Sequence, residues 1–280
     1  MSLESVSILK RIREGLGSIH REIKIYFTPE VDPRQWVFLV GCYNSGTTLL
    51  AELLSRHPEI SSLPTEGHFL TNEFIKDYEI GIPRMWAERE EVFRLTENDD
   101  GPDAERIKRE WRMRLDLSKP VFLEKSPPNT PRVRWLQKHF KPARFIAIVR
   151  NGYAVTEGIH RKADPKDRPE SWSIDMCARQ WRRSYELLHE DEQYLEHLLW
   201  VKYEDLARDT ENELNRICDF MEISHFEKFD QDSSFRIHER DESIRDLNDE
   251  SIKRLTCDEL AIINEVAGDY LIRFGYEILD

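Results

Sequence analysis

The sequence is poor in cysteine and lacks a long apolar run. Its four cysteines, Cys42, Cys177, Cys218 and Cys257, are scattered, and no two have the spacing of a metal site. We therefore expect no metal and a reducing compartment, the cytoplasm. No apolar run approaches the length of a membrane-crossing helix. Residues 1–27 interleave charged and apolar residues as an amphipathic helix does, unlike a signal peptide.

The sequence also has no excess of basic residues. The chain has 54 acidic and 41 basic residues and a formal net charge of −13. This balance argues against nucleic acid or an anionic membrane surface as the main partner, because both are recognised by clustered positive charge. An anionic nucleotide is still compatible, since it needs only a local basic cluster. With 280 residues, 39% of them hydrophobic, the chain can bury a large core, and one domain spanning residues 1–280 is expected.

The chain is organised around a loop that two glycines delimit. Val37 to Val40 predict a short buried strand that ends at Gly41, and a predicted helix begins at Thr47, after Gly46. Such a loop is a phosphate cradle, because the free amides and the dipole of the helix N-terminus attract an anion. A nucleoside-triphosphate loop needs a lysine where Thr47 stands, so a β/γ-phosphate clamp is poorly supported. A plain strand-to-helix turn is the alternative interpretation.

Polar residues follow other predicted strands as well. In a mostly parallel α/β sheet, ligands collect at the carboxyl ends of the strands. Four residues stand just after such strands: Glu66, His68, Lys125 and Arg150. The arginine has a charged fork that suits phosphate oxygens. Each also has a structural interpretation: Glu66 as a helix cap, Lys125 as a surface residue, and Arg150 in a salt bridge at a strand end.

The segment Ser45-Gly46-Thr47-Thr48-Leu49-Leu50 resembles the 5′-phosphosulfate loop of the sulfotransferases. These enzymes use 3′-phosphoadenosine 5′-phosphosulfate (PAPS) as donor and release 3′-phosphoadenosine 5′-phosphate (PAP). His57-Pro58-Glu59-Ile60, followed by Glu66, is similar to the tyrosylprotein branch and to many bacterial members. The resemblance implies that Glu66 takes the acceptor's proton, with His68 as the alternative base. It also implies that Lys125, in Glu-Lys-Ser-Pro, neutralises the bridging oxygen and the sulfonate as the bond breaks.

The resemblance also implies which residues hold the donor. Arg150 would bind the 3′-phosphate, and Tyr203, in Val-Lys-Tyr-Glu-Asp-Leu, would lie on the adenine side or simply pack in the core. The 5′-phosphate would lie on the loop, formed by Asn44, Ser45, Gly46, Thr47, Thr48 and Leu49.

Two positions depart from the family pattern. Asn44 stands where the family has Lys or Arg, so Lys125 is expected to take over more of the role of the loop cation. Gly158 stands where the family has a Ser on the helix after the 3′-phosphate arginine. Thr156 or Arg161 is the expected substitute, Arg161 lying on the helical face of Gly158 at i+3.

The order of elements fits a three-layer, P-loop-like α/β domain with a largely parallel central sheet flanked by helices. Residues 1–35 are predicted as an N-terminal helix and linker, and 68–119 as a helical insertion that binds the acceptor over the strand ends. Thr210–Glu213 and Thr256–Glu259 have the spacing of capping boxes. Family members often close the donor site with a basic C-terminal segment, for which the candidates are Arg236, His238, Arg240 and Arg245.

The predicted function is in-line transfer of a sulfonyl group from PAPS to a hydroxyl or amine, with Glu66 as general base. The acceptor class and the oligomeric state stay open, because residues 68–119 carry no recognisable motif. A kinase-like P-loop phosphotransferase is one alternative, and it would require ATP and magnesium. A non-catalytic member that binds nucleotide or a partner is the other, since Asn44 and Gly158 both depart from the working pattern.

Overall fold

A parallel five-stranded sheet forms the middle of the protein in the computed structural model. Because every pairing is parallel, the carboxyl ends of all five strands lie along one edge. The chain first adds strands on one side of β1 and then on the other, and α/β sheets bind ligands at such a reversal. The strands, in the spatial order β2-β3-β1-β4-β5, are β1 (Gln35–Gly41), β2 (Ile60–Ser62), β3 (Val121–Lys125), β4 (Ala143–Val149) and β5 (Leu198–Lys202).

The structure describes residues 17, 19–20, 22–29, 32–162, 172–227 and 244–280, and the backbone of 235–237 and 240–242. The last two segments pair as antiparallel strands β6 (Phe235–Ile237) and β7 (Arg240–Glu242). After the helical segment at 22–27, the α-helices in the described ranges are α1 (Thr47–Ser55), α2 (Glu90–Phe93), α3 (Ala104–Arg112), α4 (Val133–His139), α5 (Gly152–Lys162), α6 (Ile174–Asp191), α7 (Tyr203–Arg208), α8 (Thr210–Met221), α9 (Asn248–Ile252) and α10 (Cys257–Arg273).

The central strand buries side chains on both faces of the sheet. Trp36 and Phe38 enter the larger core, together with side chains of α3, α4, α6 and α10. Val37 and Leu39 point to the other face and pack with α1 and α8. This alternation follows from the two-residue period of a strand, and helices cover both faces. The predicted three-layer α/β fold with a parallel central sheet is confirmed.

One of the two predicted capping boxes is wrong. The side chain of Asp209, one residue earlier, caps α8 by accepting from the Asn212 amide. The Thr210 hydroxyl instead donates to the Leu206 carbonyl of α7, because α7 ends directly before α8 and leaves carbonyls to satisfy. The box at Thr256 and Glu259 forms as predicted and opens α10.

The predicted insertion at 68–119 is less helical than expected. It contains short 3₁₀ turns at Asp77–Ile80 and Trp86–Arg89, besides α2 and α3. Its large side chains, Trp86 and Trp111 among them, are buried in the larger core. None of the helices that the structure describes combines the length and hydrophobicity needed to span a bilayer. Residues 1–16 of the predicted N-terminal helix lie outside the described residues, and 22–27 are helical.

Candidate functional site

The loop between β1 and α1 needs glycine at both ends. Gly41 has φ 139°, and a Cβ there would lie 2.4 Å from the Ile148 carbonyl oxygen. Gly46 has φ 95°, and a Cβ there would lie 2.6 Å from the Tyr203 ring. Neither position accepts a larger residue without displacement of its neighbours. Helix α1 begins at the next residue with no N-cap side chain on its first amides, which are therefore free to bind an anion.

The loop is braced from below by Tyr185 of α6. The Tyr185 hydroxyl lies 2.8 Å from Ser45 Oγ and donates to the Ile148 carbonyl oxygen at 3.0 Å. Ser45 is fully buried, so its hydroxyl is committed to this contact. Burial raises the pKa of the neighbouring Cys42 thiol to about 12, which keeps it protonated and unreactive. Leu49, the last predicted loop contact, buries its side chain in the core beneath α1.

Glu66 and Lys125 meet at the mouth of this loop. Lys125 Nζ lies 2.7 Å from Glu66 Oε1 and 3.3 Å from the Thr48 hydroxyl on the first turn of α1. Both side chains are partly accessible, at 21% for Glu66 and 14% for Lys125. Glu66 precedes a 3₁₀ turn at Gly67–Phe69 without capping it through its side chain, so the helix-cap interpretation does not hold.

A buried hydrogen-bond network supports this pair. The Glu124 carboxylate accepts from the Gly67 amide at 2.8 Å, from the Ser126 hydroxyl and from the Asn129 side chain. Ser126 Oγ in turn lies 3.1 Å from Nδ1 of His68. The same His68 nitrogen is 3.6 Å from Glu66 Oε2. The network therefore fixes the turn that carries Glu66 to the strand that carries Lys125.

Burial separates the protonation states in this network. Desolvation, assisted by Arg132, Lys125 and Lys76, lowers the pKa of His68 from 6.5 to about 3. Desolvation raises the pKa of Glu124 from 4.5 to about 7, although its hydrogen bonds oppose that change. His68 is thus neutral at physiological pH and a weak proton acceptor. Its hydrogen bond with Ser126 joins the turn that carries Glu66 to the end of β3.

Arg150 reaches the loop from the end of β4. Its Nε donates to Asn248 Oδ1 at 2.7 Å, and its Nη1 donates to the Asn44 carbonyl oxygen at 3.2 Å. The guanidinium lies 4.3 Å from the centre of the Tyr203 ring. Nη2 is buried and has no hydrogen-bond partner among the described residues. No described carboxylate lies within salt-bridge distance of Arg150, so the strand-end salt bridge is not formed within this part of the chain.

The two departures from the family pattern lie side by side. A Cβ on Gly158 would be 3.5 Å from Asn44 Cβ, which is ordinary contact. Arg161, the predicted substitute for the missing serine, bonds Glu157 Oε1 at 2.8 Å and is 49% exposed. Thr156, the other predicted substitute for that serine, is buried, and its hydroxyl has no hydrogen-bond partner in the described ranges.

Several residues of the site were not predicted. The Glu204 carboxylate accepts from the Asn248 side chain at 2.7 Å and from the Tyr276 hydroxyl at 3.0 Å, which orders the partner of Arg150. Ser126 could have been found, because it belongs to the Glu-Lys-Ser-Pro motif. Asn248 has no such signal, since it lies 98 positions beyond Arg150 in the chain. Of the C-terminal basic candidates, only Arg245 is described in full, and its carbonyl accepts from the Tyr203 hydroxyl.

Comparisons with known proteins show the family and the fold of this chain. The sequence model of the sulfotransferase family matches residues 36–228, well over half of the chain. No curated protein matches the chain. Among solved structures, the sulfotransferase domain of the Synechococcus PCC 7002 olefin synthase is similar, with 21% identity, a TM-score of 0.54, and coverage of 90% of this chain and 98% of that one.

Two further structures are similar. The sulfotransferase domain from the curacin biosynthetic pathway has 20% identity and a TM-score of 0.53, covering 87% of this chain and 98% of its own. Sulfotransferase STF9 from Mycobacterium avium has 16% identity and a TM-score of 0.54, with coverage of 94% and 81%. At these identities the likeness shows a shared fold, and the family match supplies the assignment. This chain belongs to the sulfotransferase family and is an enzyme of the PAPS-dependent type that its motifs resemble.

Proposed function

We propose that this enzyme moves a sulfonyl group from PAPS to a hydroxyl, or an amine, with Glu66 as general base. The observation that carries the proposal is the contact of Lys125 Nζ with both Glu66 and the Thr48 hydroxyl, at 2.7 and 3.3 Å. It places a proton acceptor and a cation together at the N-terminus of α1. An in-line transfer uses a base on the acceptor side of the sulfur and a cation on the leaving-group side, so the two side chains separate when donor and acceptor bind between them.

Donor binding is divided between the loop and Arg150. The free amides of α1, with Thr47 and Thr48, bind the 5′-phosphate. Arg150 binds the 3′-phosphate, and its unpartnered, buried Nη2 supports this role because such a donor needs an acceptor. The Tyr203 ring, stacked under Arg150 and against Gly46, lies toward the adenine. A 3′-phosphate contact distinguishes PAPS from ordinary adenine nucleotides.

The chemical step is assigned to two side chains. Glu66 accepts the acceptor's proton as the new oxygen–sulfur (or nitrogen–sulfur) bond forms. Lys125 stabilises the negative charge on the bridging phosphate oxygen as its bond to sulfur breaks, and PAP leaves. The ring of His68 is neutral, because burial lowers its pKa to about 3, and it links the turn that carries Glu66 to Ser126.

The acceptor is proposed to approach over residues 68–119. Two aromatic side chains beside the Glu66 turn are exposed, Phe69 at 46% and Tyr78 at 52%, with ring centres 6.0 Å apart. They offer a surface to an acceptor while leaving its class open. A single domain over residues 1–280 and a cytoplasmic location stay predictions. The family match favours sulfonyl transfer over the kinase-like alternative.

The test is a pair of variants at Glu66 and His68. Labelled PAPS is offered with a panel of phenols, alcohols and amines, and kcat is measured on any acceptor that is turned over. Glu66→Gln should lower kcat by at least about 100-fold, the usual contribution of a general base. Its affinity for PAP should stay near that of the wild type. If Glu66→Gln keeps its activity while His68→Asn loses it, with both variants folded, the assignment of the base is wrong.

A further inference from the structure

The loop position that lacks its family cation is contacted by a lysine from another element. Asn44 adopts a left-handed conformation, φ 61°, and its Oδ1 accepts a hydrogen bond from Lys162 Nζ at 3.2 Å. Its Nδ2 is buried and has no hydrogen-bond partner among the described residues. The side chain of Asn44 is therefore turned inward toward α5, and a positive charge reaches the loop through it.

The geometry of α5 explains why Lys162 arrives there. Gly158 faces Asn44 closely enough that a Cβ would touch the Asn44 side chain at 3.5 to 3.6 Å. Lys162 lies four residues later, one helical turn along the same face. Glu157 lies on another face and is bonded to Arg161 and Arg254. The side of α5 that faces the loop thus combines a residue without a side chain and a lysine.

Asn44 consequently lies between two cations. Arg150 Nη1 donates to its backbone carbonyl at 3.2 Å, and Lys162 donates to its side-chain carbonyl. An amide oxygen is a neutral acceptor, and a phosphate or sulfonate oxygen bonds an ammonium group more strongly. A phosphate of a donor bound on the loop would therefore be a stronger acceptor for Lys162 than the Asn44 amide oxygen is.

We propose that Lys162 supplies the phosphate loop with the cation that Asn44 does not, by binding the 5′-phosphosulfate end of the donor. This inference rests on the proposed function. It makes the departures at Asn44 and Gly158 one coupled change, in which the charge moves from the loop to α5.

The test is calorimetric binding of PAP and of adenosine 3′-phosphate, which lacks the 5′-phosphate. Lys162→Ala should weaken PAP binding by roughly fivefold, as expected for an exposed charge-assisted hydrogen bond. The affinity for adenosine 3′-phosphate should not change, and Lys162→Arg should bind PAP like the wild type. Introducing Asn44→Lys should restore PAP affinity in Lys162→Ala and should raise it less in the wild-type background.

The matched control is Lys138→Ala on α4. Lys138 Nζ also donates to a neutral carbonyl, that of Glu97, but lies just before β4 begins, at the opposite edge of the sheet. The inference is overturned if Lys162→Ala binds PAP as tightly as the wild type, weakens both ligands equally, or responds to Asn44→Lys no more than the wild type does. Failure of the wild type to bind PAP would instead overturn the proposed function.

Discussion

The ion pair of Glu66 and Lys125 illustrates how single residues acquire a role here. They are 59 positions apart in the chain, and they meet because β2 and β3 are adjacent parallel strands that end at the same edge. The pair satisfies two charges that the fold has partly removed from water. In the free enzyme it also holds the proposed base against the cation, so the pair must separate when donor and acceptor bind.

At the same scale, two buried groups beneath that pair titrate in opposite senses. The pKa of His68 falls from 6.5 to about 3, so its contribution to stability is present above pH 6.5 and is lost as the pH falls. The pKa of Glu124 rises from 4.5 to about 7, so its contribution is present below pH 4.5 and is lost as the pH rises. Between pH 4.5 and 6.5 the unfolded state binds one more proton than the folded state at His68 and one fewer at Glu124. The two groups together therefore leave the free energy of unfolding independent of pH in this range.

We predict that Glu124→Gln makes the free energy of unfolding depend on pH through the titration of His68. As the pH is lowered from 6.5 to 4.5, the free energy of unfolding of the variant should fall by about 1.4 kcal/mol per pH unit relative to the wild type. This slope corresponds to a difference of one bound proton between the unfolded and the folded state. Urea unfolding at those two pH values measures the difference. The double variant with His68→Gln should regain the pH dependence of the wild type. Parallel curves for Glu124→Gln and the wild type would contradict the opposed titrations.

At the scale of elements, α6 determines the shape of the loop. Its Tyr185 hydroxyl bonds Ser45 on the loop and the Ile148 carbonyl on β4, so it ties two elements to a third. Tyr185 lies on the apolar stripe of α6 with Trp181 and Leu188, and all three are buried. Helical periodicity shows which face is buried, but it does not show which hydroxyl finds a partner on a distant loop.

Tyr185→Phe should therefore affect both stability and binding. Loss of the hydroxyl should lower the free energy of unfolding by about 1 kcal/mol and weaken PAP binding by a few-fold, because the loop loses its brace. The matched control is Tyr153→Phe, whose hydroxyl accepts from the Leu279 amide near the C-terminus. That variant should lose stability alone. Equal losses of PAP affinity in the two variants would refute a specific role for Tyr185.

At the scale of the whole molecule, local patterns predicted the architecture and the general location of the site. Apolar runs identified the strands, and the polar residues placed after them, such as Glu66 and Lys125, do converge. One wrong prediction has a physical cause. The predicted capping box at Thr210 does not form, because the Thr210 hydroxyl donates to the Leu206 carbonyl at the end of the preceding helix. The prediction of Arg161 rests on its position i+3 from Gly158, and Lys162, which contacts Asn44, lies on the same face at i+4.

The proposed donor site combines residues that follow the adjacent strands β1 and β4 with one residue of the C-terminal segment. Arg150 contacts both Asn44 and Asn248, and these contacts form only when β1, β4 and α9 are packed together. Such contacts leave no local pattern, which is why Asn248 was not predicted. The assembled site is also why the proposed 3′-phosphate contact is best tested on the intact chain.

The most direct measurement is calorimetric binding of PAP, ADP and ATP to the wild type and to Arg150→Ala. We predict that PAP binds more tightly than ADP or ATP, and that this preference collapses by at least about tenfold in Arg150→Ala, since a charged hydrogen-bond donor to the 3′-phosphate is removed. Binding of ATP equal to or tighter than that of PAP, or a preference for PAP that survives in Arg150→Ala, would contradict the account.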